Sequence, residues 1–291
     1  MSYQALTQPS GIGRVLDSGF KLFVASLKPV LLLIIVTAII NVIMQYAMFQ
    51  TMLPAQEFTT EEEMGQYMLS IMPQLVGVSI IMWVVSIILY NAILSRVGEV
   101  AKGGNGELYD ALLVGIRKAF PVFIAAILYT LAISVGFMLL VIPGLILMIT
   151  LLFFQVLIVV DDEGIIASLK QSHRLVWGSY WRTSAVILVP FFIMYALIMV
   201  VAFAAGFLGA ISTPDMVDGQ MHMSFGAFDI LMAGVSVLMV PLLDSIFVAH
   251  VNDLKLRKSG SDLEQRMGCL LYTSPSPRDS CIHLVCRLLL E

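Results

Sequence analysis

Apolar residues in this chain fall into six runs, each near the roughly 20 residues that a helix needs to cross a bilayer's hydrocarbon core. They are Pro29–Met52, Leu75–Leu94, Phe120–Ile142, Leu145–Val160, Thr183–Ile211 and Phe228–Ala249. The fourth is short. The fifth is long, and is expected either to tilt or to end early near Gly206 or Gly209. Only Pro143-Gly144 separates the third from the fourth. Pro and Gly end and reverse a helix, so a tight antiparallel hairpin is expected there. The pattern predicts an all-α fold, a polytopic membrane bundle of about six transmembrane helices.

A second periodicity lies between these runs. In "SGIGRVLDSGFKLFVASLKP", Ile12, Val15, Leu16, Gly19, Phe20, Phe23, Val24 and Leu27 form one continuous helical stripe. Arg14, Asp17, Lys21 and Lys28 fall mostly off it, and Ser10 is positioned as an N-cap. "EGIIASLKQSHRLVWGSYWR" repeats the pattern. Aligning Gly11 with Gly164 matches Leu16 to Leu169, Lys21 to Arg174, Leu22 to Leu175 and Ser26 to Ser179. "NGELYDALLVGIRKAFP" follows more loosely, through Leu112 and Arg117. The chain therefore reads as three units, each a surface helix followed by two spans. Such helices lie in the headgroup layer with cations toward anionic lipid, and Trp177, Tyr180 and Trp181 suit that depth. Arg14, Lys21, Arg117, Lys118, Lys170 and Arg174 are the candidate anionic-lipid contacts. The same helices also read as ordinary connectors packed against the bundle.

Composition agrees with a membrane setting. Of 291 residues, 59% are hydrophobic and 12% charged, against about 25% charged in soluble domains; mean hydropathy is +0.94. The net charge of -4 matters less than where the charges lie. Arg14, Lys21 and Lys28 precede the first run; Arg96, Lys102, Arg117 and Lys118 lie between the second and third. Lys170, Arg174 and Arg182 lie between the fourth and fifth, and Lys255, Arg257 and Lys258 follow the sixth. The other three connections hold no Lys or Arg, and two of them, "EFTTEEEM" and "STPDMVDGQMHM", are acidic. The positive-inside rule then puts both termini in the cytoplasm, and the expected location is a bacterial inner membrane. No A-x-A-like cleavage site follows the first run, which reads as a retained span and not a signal peptide.

Three stretches together resemble a known group. "GIGRVLDSGFKLF", "LLLVIPGLILMITLLFFQVLIVVDDEGIIASLKQSHRLVWGSYWR" and "NDLKLRKSGSDLE" are similar to uncharacterised bacterial multi-pass proteins related to the membrane domain of glycerophosphoryl diester phosphodiesterase. The likeness covers nearly all of residues 10–266. It implies a fold and a location, and maps no catalytic residue onto this chain.

Phosphodiesterase chemistry needs clustered acids and histidines to hold a metal and move protons. His173, His222 and His250 lie in separate regions, and Asp161-Asp162-Glu163 reads as a solvated helix start. No catalytic residue and no cofactor are expected. Asp244 is three residues beyond Pro241 inside the sixth run. An ionisable group within a span is a functional candidate, and Asn91 and Gln155 could share a polar interior with it. Alternatively, Asp244 reaches water at the inner surface or pairs with Lys255 or Arg182. Met221, His222 and Met223 are soft donors suited to monovalent copper, though Met is frequent throughout the chain. "AKGGNGE" lacks the Lys-Ser/Thr of a phosphate loop and reads as a turn. Nothing points to nucleic acid; the expected partner is the lipid bilayer, with anionic lipid and unidentified proteins beyond it.

The tail "GCLLYTSPSPRDSCIHLVCRLLLE" contains all three cysteines, Cys269, Cys281 and Cys286. It resembles translated transposase adapter from a sequencing library. Its cysteines are therefore set aside as redox or metal groups, and the native chain is expected to continue differently after Gly268. The organisation expected is an interfacial helix at 1–28, a six-span membrane domain at 29–250, a charged cytoplasmic end at 251–268 and read-through at 269–291. Three functions fit: a non-enzymatic scaffold or accessory protein for lipid or envelope partners, a small-solute or ion transporter using Asp244, or the membrane part of an enzyme whose catalytic domain lay beyond Gly268.

Overall fold

The computed structural model describes residues 3–52, 60–104, 106–207, 215–217, 220–222 and 226–260; the cysteine-bearing tail lies outside them. Among the described residues eight helices run in order: α1 (Ile12–Met52), α2 (Glu61–Ala101), α3 (Leu108–Leu139), α4 (Val141–Thr150), α5 (Phe154–Val160), α6 (Ile165–Val176), α7 (Tyr180–Phe207) and α8 (Ala227–Lys258). Between α7 and α8, β1 (Asp215–Val217) pairs antiparallel with β2 (Gln220–His222). The fold is an all-α bundle. α1, α2, α3, the α4–α5 pair, α7 and α8 are each long and apolar enough to cross a membrane.

Large apolar side chains point outward along these helices. Met138 is 90% exposed, Phe207 86% and Phe203 79%. Soluble monomers rarely leave such continuous apolar surface uncovered, whereas lipid covers it without cost. The tightly packed part lies toward one end, where Asn91 to Gly98 of α2, most of α5 and Ile246 to Leu254 of α8 are largely buried. That end also holds the basic connections and is called the basic end below. At the opposite, acidic end, Thr60 Oγ1 accepts the Glu63 amide at 3.2 Å and caps α2. Glu61, Glu62 and Glu63 there complement the helix dipole.

Small residues set the spacing between helices, as in other membrane bundles. A Cβ on Gly19 of α1 would lie 2.8 Å from the Ile246 Cα of α8. The hairpin between α3 and α4 corrects one expectation. The reversal is at Leu140, which takes extended dihedrals and ends α3 as it begins α4. Pro143 and Gly144 lie inside the first turn of α4, where proline's missing N–H loses no helical bond. Gly144 instead serves packing, because a Cβ on Gly136 would come within 2.9 Å of its Cα.

The repeated units also diverge. In the first two, surface segment and span form one continuous helix, running through Pro29 in α1 and Pro121 in α3. In the third, α6 and α7 are separate. Gly178 (φ +89) makes the turn between them, a conformation that favours glycine. The aligned residues nonetheless share environments: Leu22 and Leu175 are buried, while Lys21 and Arg174 are exposed. Ser10 is not a side-chain cap. Its hydroxyl donates to Gln8 O at 3.0 Å, and the helix begins one residue later, with Gly11 O accepting from the Val15 amide.

The fourth span is broken between Thr150 and Phe154. Backbone groups freed at such a break are costly at membrane depth unless protein satisfies them. Ser172 of α6 does so from both sides. Its Oγ donates to Thr150 O at 2.8 Å and accepts from the Phe153 amide at 3.2 Å, and Ser172 and Thr150 are fully buried. Ser172→Ala should therefore lower stability by about 1–3 kcal/mol, the cost of stranding buried polar partners. Ser168→Ala is the control, since Ser168 bonds only Ile165 O within its own helix. Thermal unfolding in detergent would compare them; equal midpoints would show that the break needs no stitch.

Candidate functional site at the basic end

Helix α8 continues well past the last apolar residue of its span, to Lys258. Its final turns reach into the bundle with charged groups. Asp253 is fully buried. Its Oδ1 accepts the Ser10 amide at 2.8 Å, and its Oδ2 accepts Arg182 Nη2 at 2.8 Å and Arg257 Nε at 2.9 Å. Both arginines also donate to the Ser10 carbonyl. Two guanidinium groups, one carboxylate and the backbone N–H and C=O of Ser10 thus close into a ring. The ring joins the segment before α1, the start of α7 and the end of α8.

Neighbouring bonds extend the same tie. His250 Nε2 and Thr183 Oγ1 are 3.1 Å apart, Asn252 Nδ2 donates to Leu6 O at 3.1 Å, and Lys258 Nζ donates to Trp177 O at 2.9 Å. The acidic run after α5 is pinned as well, so it is not a free helix start. Asp161 accepts Lys255 Nζ at 2.5 Å, and Lys118 of α3 pairs with Asp162. Asp162 turns the chain at φ +60, which Asp tolerates better than most residues.

On the side of α8 away from Asp253 lies a cavity of about 400 Å³. It is lined by Gly98 and Ala101 of α2 and Lys102, which caps that helix, by Val156 and Val160 of α5, by Val248, Val251, Asn252 and Lys255 of α8, and by Asp161, Tyr3 and Ala5. Deeper on the same helices lie the three polar residues expected to share an interior. Gln155 Nε2 donates to Asn91 Oδ1 at 3.1 Å. Asn91 is fully buried and its Nδ2 has no partner. Asp244 precedes Val248, Val251 and Lys255 by four, seven and eleven residues, which places it on the cavity-lining face of α8. Its Oδ2 is buried and unpartnered. Arg182 and Lys255, the pairing partners considered for it, are engaged by Asp253 and Asp161 instead. No hydrogen bond among the described residues links Asp244 to Asn91 or Gln155.

Of the candidate lipid contacts, Arg14, Lys21, Arg117, Lys170 and Arg174 are exposed. Lys21 pairs locally with Asp17 at 2.7 Å. Lys118 is drawn inward by Asp162, with 16% of its side chain exposed. Met221 and His222 fall on β2, their side chains outside the described set, as is Met223 altogether. Among the described residues no three His, Cys, Asp or Glu side chains converge as metal ligands. Sequence reasoning missed Asp253. The available signal was its spacing to Arg257, four residues apart on one helical face.

Removing one member of a buried charge cluster leaves its partners uncompensated, at roughly 3–5 kcal/mol. Asp253→Asn should thus destabilise far more than Asp17→Asn, which breaks only an exposed pair worth about 0.3–0.5 kcal/mol. Detergent unfolding of the two variants gives the comparison, and similar midpoints would remove the ring's structural role.

Comparison with known proteins agrees with this architecture. The chain is 28% identical over 117 residues to a UPF0259 membrane protein of Pectobacterium carotovorum, covering 40% of this chain and 47% of that one. It is 27% identical over 113 residues to a UPF0259 membrane protein of Photorhabdus laumondii, covering 36% and 44%. These alignments span about half the length of each relative. No solved structure matches. A family model described as an uncharacterised protein family matches residues 14–213, from the first turn of α1 to just beyond α7, and shows no link to glycerophosphoryl diester phosphodiesterase. The chain belongs to that family, UPF0259, whose relatives named here are bacterial membrane proteins.

Proposed function

We propose that this is a non-enzymatic inner-membrane protein that organises anionic lipid, and partners held there, at its cytoplasmic face. The observation that carries the reading is the exposed basic set Arg14, Lys21, Arg117, Lys170 and Arg174. It is spread over the first turns of α1, the start of α3, and α6. Each of these segments turns an apolar stripe inward, as Val15, Leu22, Ala111 and Leu175 show. Cations above an apolar helix face match the headgroup layer of an anionic leaflet. The basic connections support a cytoplasmic placement of this end and of both termini. Each surface cation contributes about 1 kcal/mol toward anionic lipid. Neutralising Arg14, Lys21, Arg117 and Arg174 to Gln together should therefore cut phosphatidylglycerol enrichment severalfold in lipids retained after polymer extraction. Unchanged enrichment would remove the reading.

A second reading, a small-solute or proton-coupled transporter, is favoured by one observation, the unpartnered Asp244 Oδ2 inside α8. Asp244→Asn should then abolish uptake into proteoliposomes under an imposed proton gradient while leaving the fold intact. A mutant with full flux would exclude Asp244 as the carrier.

A further inference from the structure

The cavity at the basic end is a different feature from the exposed cations. Its charged lining groups, Lys102, Lys255 and Asp161, gather at one rim, the end of α5. Lys102 Nζ and Lys255 Nζ donate to consecutive residues, Val160 O and Asp161 Oδ2, each at 2.5 Å. Two ammonium groups, one from the residue that caps α2 and one from α8, therefore both reach the end of α5. They face one carboxylate and one carbonyl, which leaves one positive charge in excess. Below them the walls are small and apolar: Gly98, Ala101, Val156, Val160, Val248 and Val251. Gly98 lets two of the walls approach closely, because a Cβ there would lie 2.7 Å from Val160 Cγ2.

We propose that this cavity holds the headgroup of one anionic phospholipid, its phosphate between Lys102 and Lys255. The first acyl carbons would lie along the valine wall. The inference rests on the lipid-organising reading and goes beyond it to a single defined site. Lysine binds phosphate as a compact point charge. The volume falls in the range of about 300–1,000 Å³ usual for ligand pockets. A free anion would use the rim alone, whereas a lipid uses both rim and wall.

Native mass spectrometry of the full chain in detergent, titrated with phosphatidylglycerol, tests this. Wild type should hold one lipid tightly. Lys102→Gln with Lys255→Gln should weaken that lipid by about thirtyfold, since each cation near the surface contributes about 1 kcal/mol. Lys102→Arg with Lys255→Arg should keep most of the binding. Ala101→Phe retains both charges and fills the cavity, and should also lose the bound lipid. Wild-type affinity in the Gln pair or in Ala101→Phe would overturn the site. Displacement of the lipid by millimolar inorganic phosphate would overturn the lipid assignment in favour of a soluble phosphate. The Arg14, Lys21, Arg117 and Arg174 variant should keep the single tight lipid, so loss of bulk enrichment and loss of this site are separable results.

Discussion

The buried carboxylate of Asp253 is the constraint around which the basic end is arranged. A charge removed from water must be matched by close, well-aligned partners. Here they come from three distant parts of the chain: the Ser10 amide, Arg182 at the start of α7 and Arg257 in the last turn of α8. Lipid offers no hydrophobic drive to bring apolar helices together. Specific polar contacts and close backbone approach must therefore fix which helices are neighbours. Contacts such as Gly19 against Ile246 are possible only once α1 and α8 are registered at their ends.

Much of this was legible in the sequence, and the reason is physical. A bilayer allows only long apolar helices or closed barrels, so six apolar runs translate almost directly into the six stretches that, among the described residues, are helical, long and apolar enough to cross one. Amphipathic spacing marked the inward face only in part: Val15 and Gly19 of the α1 stripe are buried, but Phe20 and Val24 on it are exposed while Leu22, off it, is buried. Less visible was how one element borrows from another. Nothing local announces that Ser172 would complete a helix twenty residues upstream, or that Ser10 would lend its peptide group and not its hydroxyl. Pro143-Gly144 misled for a related reason. The dipeptide signals a turn nearby, and only packing against Gly136 decides on which side of it the chain reverses.

The polar triad shows the same limit. Composition singled out Asp244, Asn91 and Gln155 as misfits in apolar runs, and two of the three do bond. Which of Asp244 and Asp253 would find arginine could not be read from either residue alone. It depends on their different faces of α8: nine residues apart, they point to opposite sides of the helix. Asp244 faces the cavity side, and Asp253 faces the ring.

The stitched break in the fourth span bears on the order in which the chain is made. Thr150 and Phe153 are synthesised before the residue that satisfies them, because Ser172 lies about twenty positions later. Until α6 emerges and folds back, the unfinished helix carries bare peptide groups that hydrocarbon rejects. The α4–α5 span therefore has these peptide groups satisfied only once α6 packs against it. The Asp253 ring closes later still, when the final turns of α8 meet a segment made at the very beginning.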